Sequence, residues 1–147
     1  MFTGHYEHTI DEKGRVTIPS KFREELGDTV VIAQGFEGNL TGYIKEWFYE
    51  EVAKDVLATS RFEAEGRKLR RLFFTETEEI EIDKAGRILL PAHLRGTANL
   101  TDCAILVGTG DSFELWSPEN WRVQKESLNA VDANKQRPDT LDSPTRS

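Results

Sequence analysis

The sequence predicts an α+β fold, mainly β, made by duplicating one small unit. Three observations lead there. The stretch "DEKGRVTIPSKFR" at residues 11–23 returns 72 residues later as "DKAGRILLPAHLR" at residues 83–95. The segment before the second copy alternates Ile80 and Ile82 with Glu79 and Glu81, the period of a half-buried strand. Between the copies, Phe48, Val52 and Val56 recur every fourth residue, the spacing of a helix with one apolar face.

The duplication organises everything else. At the common offset Asp11, Gly14, Arg15, Pro19 and Arg23 match Asp83, Gly86, Arg87, Pro91 and Arg95. The apolar positions follow: Ile10 with Ile82, Val16 with Ile88, Ile18 with Leu90 and Phe22 with Leu94. With a small insertion the match continues, since residues 30–33 ("VVIA") resemble residues 104–108 ("AILVG") and Trp47 aligns with Trp121. Residues 5–48 and 77–121 are read as the two copies, 49–76 as a helical connection and 132–147 as a disordered tail.

Within each copy the elements follow from local chemistry. Residues 6–10 and 78–82 read as strands entering the motif. Asp-x-x-Gly places Asp11 or Asp83 first and Gly14 or Gly86 fourth in a type I turn, where the carboxylate accepts backbone N–H groups and glycine takes a positive φ. Arg15 to Ile18 is the returning strand, with Val16 and Ile18 on one face and Arg15 and Thr17 on the other. Proline then ends the ladder and suits the first position of a helix. Phe22 and Leu26 stack one turn apart on that helix, and Gly27 terminates it. In the connection, Ser60-x-x-Glu63 has the spacing of a capping box opening a second helix through Phe62, Leu69 and Phe73. Gly66 weakens that helix by about 1 kcal/mol relative to alanine. The end of the chain, "DANKQRPDTLDSPTRS", is polar and has no apolar period.

Composition bounds the function. With 147 residues, neither half alone would bury a secure core. The 19 basic and 26 acidic residues give a net charge of −7, so any site for a polyanion must be a local patch. Cys103 is the single cysteine, which excludes an internal disulfide framework and fits a reducing cytoplasm. The opening "MFTGHYEH" has no signal-peptide pattern and no window reaches the length of a membrane span, so a cytoplasmic protein is expected.

Several chemistries are excluded in turn. The Asp-led turns fail as calcium loops because the third and fifth positions carry Lys13 and Arg15, then Ala85 and Arg87, instead of oxygen ligands. His5 and His8, three residues apart on an extended segment, point to opposite faces, and His93 adds too little for zinc. Cys103 falls in an apolar run and reads as a small buried thiol. Phosphate-loop, dinucleotide and nucleophile-elbow motifs are absent. No metal, no cofactor and no enzyme activity are expected.

What remains is a pair of cation-bearing turns. Lys13 and Arg15 stand on the first, Lys84 and Arg87 on the second. A planar guanidinium on a rigid turn suits bidentate contact with guanine O6 and N7, and a nearby lysine suits a phosphate. Asp11 and Asp83 then form the turn and orient the arginine. A single such hairpin reads as a solvated tip; its duplication with the same flanks favours a site. Lys13, Arg15, Lys21 and Arg23 fall within eleven residues that contain no acid, so this patch is locally positive. The run Arg67, Lys68, Arg70 and Arg71 reads equally as a solvated helix face or a ligand site and receives no assignment.

The opening "MFTGHYEHTIDEKGRVTIPSKFRE", the central "FF", the second motif and the later "FELW" resemble the MraZ family, whose members carry two SpoVT-AbrB domains; the likeness covers roughly residues 1–126. The resemblance implies a duplicated swapped-hairpin β-barrel with short helices. It also implies a bacterial, nucleoid-associated transcription regulator, read as a repressor, acting at the promoter of the division and cell-wall gene cluster. The implied partners are double-stranded DNA with direct repeats and further copies of the chain in a ring-shaped homo-oligomer. The D-x-x-x-R faces carry over onto Asp11 to Arg15 and Asp83 to Arg87. In the second copy Ala85 stands where Lys13 stands in the first, which shifts the lysine to Lys84. The alternative reading is an antitoxin-like interaction module of the same fold.

Overall fold

A computed structural model describes residues 1–133, with side chains through residue 130. Among the described residues there are eight strands: β1 (His5–Thr9), β2 (Arg15–Thr17), β3 (Thr29–Gln34), β4 (Leu40–Tyr43), β5 (Glu78–Glu81), β6 (Arg87–Leu89), β7 (Cys103–Gly108) and β8 (Phe113–Trp116). The first four are repeated by the last four, element for element. The helices are α1 (Ser20–Leu26), α2 (45–57), α3 (Ala64–Thr75), α4 (Ala92–Thr97) and α5 (Pro118–Ala133).

Pairing runs between the copies. The antiparallel six-stranded sheet has the order β1-β7-β8-β4-β3-β5, and β2 pairs with β6 in a separate two-stranded ribbon. β1 of the first copy lies against β7 of the second, with Thr9 opposite Cys103. Reciprocally, β5 of the second lies against β3 of the first, with Thr29 opposite Glu81. The turn at Asp11 does reverse the chain, but β1 and β2 are joined only by an Ile10–Val16 bridge. The two strands flanking the motif take their main partners from the other copy instead of from each other.

The core explains why. Ile10, Val16, Ile18 and Phe22 of the first copy are buried together with Ile88, Leu90 and Leu94 of the second. Val16 and Ile88 stand opposite each other in the ribbon, and both are 0% exposed. Phe22 packs edge-on to Phe2 at 5.2 Å and tilted on Phe113 at 5.1 Å, so rings from both ends of the unit meet in one cluster. Each copy supplies one side of this core, and separating them would expose all of it to water.

β3 is buried on both faces, as its unbroken apolar run "VVIA" allows. Val30 and Ile32 enter the main core, while Val31 and Ala33 meet Phe48, Ala53, Val56 and Phe73 of α2 and α3. Phe48 and Phe73 stack at 5.8 Å. Helix α2 has α-helical ends, Lys45–Trp47 and Ala53–Leu57, around a π-helical turn at Phe48–Val52. The Ala53 N–H reaches back five residues to the Phe48 carbonyl. That extra residue turns Ala53 into the core beside Phe48 and Val56 and leaves Val52, expected there from the fourfold spacing, half-buried.

Other local expectations are corrected. Ser60 and Glu63 form no capping box: α3 starts at Ala64 with Glu63 as an uncapped N-cap, and the Ser60 hydroxyl accepts the Phe62 N–H instead. Phe62 precedes the helix and is 87% exposed. Pro19 and Pro91 are the N-caps of α1 and α4, one position earlier than expected, and the Pro19 carbonyl accepts the Phe22 and Arg23 N–H groups. Gly27 does end α1, at φ 81°. Cys103 is half-buried at the start of β7, not fully buried.

The chain forms two compact units, Met1–Ser117 and the part from Pro118 onward. Taken by itself, the second contains α5, which carries Glu119 in its first turn and an Arg122–Glu126 pair at 3.9 Å. Residues 134–147, the greater part of the segment read as a tail, lie outside the described residues. No described helix is long and apolar enough to cross a membrane.

Candidate nucleic-acid interface

The ribbon of β2 and β6 sets the geometry of the candidate site. Its register pairs Arg15 with Leu89, Val16 with Ile88 and Thr17 with Arg87. Because side chains alternate along a strand, Val16 and Ile88 point into the core, which leaves Arg15, Thr17, Arg87 and Leu89 on the outer face. Arg15 and Arg87 are thus diagonal neighbours, at about 7–8 Å between Cα atoms by the general geometry of such pairs.

Each arginine is held by the aspartate that opens its turn. Asp11 Oδ1 accepts the N–H groups of Lys13 (3.0 Å) and Arg15 (2.9 Å), and Oδ2 accepts Arg15 Nε at 2.7 Å. In the second copy Asp83 Oδ1 accepts the N–H groups of Ala85 and Arg87, both at 2.9 Å, and Oδ2 accepts Arg87 Nε at 3.1 Å. The Arg15 N–H bond, above all, holds the Asp11 carboxyl down to about 2, and the Arg87 N–H bond lowers Asp83 likewise. Both aspartates are therefore ionised throughout the physiological range. The aspartate bonds engage Nε, and the Nη1/Nη2 edge of a guanidinium is the one suited to bidentate recognition.

The turns are closed tightly. Gly14 N–H bonds to Asp11 C=O, and Asp11 N–H bonds to Arg15 C=O; the same pair of bonds joins Gly86, Asp83 and Arg87. Gly14 and Gly86 sit at φ 92° and 79°, which makes each the bulge residue of a short hairpin loop. Lys13 and Lys84 are exposed at the tips, one place apart in the two turns.

Contacts across the copies complete the site. The Gly14 carbonyl accepts the Leu90 N–H at 2.9 Å, and the Gly86 carbonyl accepts the Ile18 N–H at 2.8 Å. Arg95 lies over Gly14, so that a Cβ on that glycine would fall 2.9 Å from Arg95 Nε. Arg23 lies over Gly86 in the same manner, 2.2 Å from such a Cβ through Nη1. In the sequence Arg23 counts only as one cation of a positive patch and Arg95 only as its match, so their place in the duplication is the available signal.

The remaining candidates resolve into structure. Arg70 donates from Nη2 to the carbonyls of Leu57 (2.7 Å) and Thr59 (2.9 Å), and Arg67 donates to Arg61 C=O at 3.1 Å. These two arginines tie down the loop between α2 and α3. Cys103 Sγ lies 3.6 Å from Glu7 Oε2, and burial, aided by that carboxylate, pushes its pKa up, away from thiolate reactivity. His93 bridges Glu76 (3.2 Å, through Nδ1) and Glu78 (2.9 Å, through Nε2). Among the described residues no group of three or more His, Cys, Asp or Glu side chains is placed to hold a metal ion.

Fold and site together define a duplicated α+β module whose halves pair reciprocally and present two arginine-bearing turns on one ribbon. The family described as "MraZ protein, putative antitoxin-like" matches the chain twice, over residues 1–72 and 73–143. The chain is 42% identical over 134 residues to the transcriptional regulator MraZ of Roseiflexus castenholzii, covering 91% of each. It is 45% identical over 132 residues to that of Caldicellulosiruptor saccharolyticus, covering 87% of this chain and 90% of the relative. Against the transcriptional regulator MraZ of Caldicellulosiruptor bescii it is 39% identical over 144 residues, covering 96% and 99%. The chain belongs to the MraZ family.

Proposed function

We propose that this chain is a transcription regulator that binds duplex DNA sequence-specifically through Arg15 and Arg87, with Lys13 and Lys84 on flanking phosphates. The observation that carries the reading is the shared outer face of β2 and β6. Arg15 and Arg87 stand there as diagonal neighbours, each with Nε bonded to its own aspartate. The major groove of B-DNA admits a two-stranded β-ribbon, and an arginine meeting guanine O6 and N7 edge-on is the commonest specific contact. The names of the relatives, transcriptional regulators, support regulation of transcription.

Two arginines on a body of net charge −7 give weak, strongly salt-sensitive binding by themselves. Assembly of several chains into a ring would multiply the ribbons and raise avidity by roughly 10²–10⁴. Tandem direct repeats spaced by about one helical turn, roughly 10–10.5 base pairs, would then meet successive ribbons on one groove face. The family resemblance further supports the swapped-hairpin description of the fold, a nucleoid location and a target at the promoter of the division and cell-wall gene cluster.

The test is to incubate the purified protein with random duplex DNA, sequence what is retained, and vary the spacing of the recovered repeats. Enrichment of spaced repeats, lost when half a turn is inserted, is the expected result. No enrichment of any duplex, or equal affinity for a lone repeat and an array, would overturn the reading and turn attention to the antitoxin-like alternative.

A further inference from the structure

We infer that Arg23 and Arg95 are positioning residues that form a reciprocal clamp, each holding the arginine-bearing turn of the other copy. The inference rests on the DNA reading for its functional part and on geometry alone for its structural part.

Arg23 belongs to α1 of the first copy, yet its guanidinium covers the Cα of Gly86 in the second; Arg95 belongs to α4 of the second and covers Gly14 in the first. Only glycine permits the approach. A Cβ at Gly86 would stand 2.2, 2.5 and 2.8 Å from Arg23 Nη1, Cζ and Nε, and one at Gly14 would stand 2.9, 3.0 and 3.2 Å from Arg95 Nε, Cζ and Nη2. Three guanidinium atoms near one point mean that the plane of the group, not a single nitrogen, rests on the turn. A guanidinium is flat and weakly hydrated on its faces, so it can lie on a backbone in this way, whereas a lysine ammonium cannot.

The hydrogen bonds favour clamping over ion pairing. Neither arginine is within ion-pair distance of a carboxylate among the described residues, unlike Arg15 and Arg87. Arg95 Nε donates to the Leu90 carbonyl at 3.1 Å, and the Leu90 N–H donates to the Gly14 carbonyl. Guanidinium, β6 strand end and opposite turn are thereby linked in series. Among the described residues Arg23 Nε is buried without a protein hydrogen-bond partner, as Arg70 Nε is, so packing against Gly86 is what locates the Arg23 group.

The consequence is that the two DNA-facing turns are set by each other's copy. Removing Arg23 should disturb Asp83–Arg87 more than its own turn, and removing Arg95 should disturb Asp11–Arg15. Both arginines also place a positive charge against the turn that would meet the DNA.

The full chain carrying Arg23→Lys or Arg95→Lys keeps its charge and loses the planar contact. Amide chemical shifts and hydrogen exchange of the DNA-free variants give the structural readout. Expected are changes at Ala85, Gly86 and Arg87 for R23K that exceed those at Lys13, Gly14 and Arg15, with the reverse order for R95K. Changes confined to the mutated residue's own copy would overturn the clamp. Retention of a random duplex pool at fixed salt gives the functional readout, where a loss of about tenfold is expected, on the order of one bidentate contact. Wild-type retention by both lysine variants, alongside a clear loss in R15A and R87A, would remove the positioning role. If R15A and R87A also bind as wild type while the crossed amide pattern persists, the DNA reading fails and the clamp stands.

Discussion

The carbonyl oxygen of Ser60 occupies the space where a side chain on Gly66 would stand, 1.9 Å from an ideal Cβ. Gly66 is buried in α3, and its missing side chain lets the loop from α2 pass directly over the helix. From the sequence alone, Gly66→Ala should gain about 1 kcal/mol of helix propensity. The backbone oxygen cannot move as a flexible side-chain end could, so the sign reverses, and the variant should lose about 1–3 kcal/mol, typical of overpacking. Chemical unfolding decides the matter; a variant as stable as the wild type would contradict the close approach.

The same loop depends on Arg70. Its bonds to the Leu57 and Thr59 carbonyls satisfy groups at and beyond the end of α2. Arg70→Ala should therefore lower stability by about 1.5–3 kcal/mol, the range for hydrogen bonds from a charged donor. Duplex retention at matched folded concentration should be unchanged. A selective loss of DNA binding without loss of stability would return this cation to the candidate site.

His93 predicts a pH effect. Hydrogen bonds to Glu78 first, and to Glu76, raise its pKa above 6.5, and Glu76, which also accepts the Thr97 hydroxyl at 2.9 Å, is lowered by the same contact. A raised folded-state pKa means that the contribution is fully present below the unfolded value of 6.5 and disappears as pH rises through the folded value. The site is partly exposed, so screening keeps the effect on the order of 0.2–1 kcal/mol. The Tm difference between wild type and His93→Gln should shrink as pH is raised from 6 to above the folded pKa. A difference that stays constant across that window would rule out the charged bridge.

Asp11 titrates in the opposite direction. Its folded value of about 2 lies below the ordinary 3.8, so the turn keeps its support above 3.8 and loses it as pH falls through about 2. The Arg15 Nε–H resonance should remain shifted at pH 3.5 and collapse near pH 2. Collapse already at pH 4 would show that the carboxylate is not held as described.

Replacing Arg15 or Arg87 with alanine should cost about 1–3 kcal/mol of sequence-specific binding per lost bidentate contact while the fold survives. Both side chains lie on the outer face of the ribbon, whereas Val16 and Ile88 carry the packing. Circular dichroism with operator titration is the check, and unchanged affinity in the double variant would take these arginines out of the site.

Local pattern alone was enough to read the duplication, the strands around each motif, the Asp-led turns and the short helices after Pro19 and Pro91. Those features depend on residues within a few positions of one another: the carboxylate that accepts its own turn's N–H groups, the glycine at positive φ, the alternation of Val16 and Ile18. The partner of each strand was not readable in this way. Whether β2 pairs back onto β1 or across onto β6 makes little difference to its own alternation, and only the shared core of Val16, Ile88, Phe22 and Leu94 decides for the crossing. The tertiary structure likewise assigned Gly66 to a close chain crossing, Arg70 to loop carbonyls, and Arg23 and Arg95 to the opposite turns. Each depends on groups brought together through space, for which spacing along the chain carries no signal. An arginine is thus recognisable as a cation from sequence, but what its guanidinium rests on is settled only when the two halves close on one another.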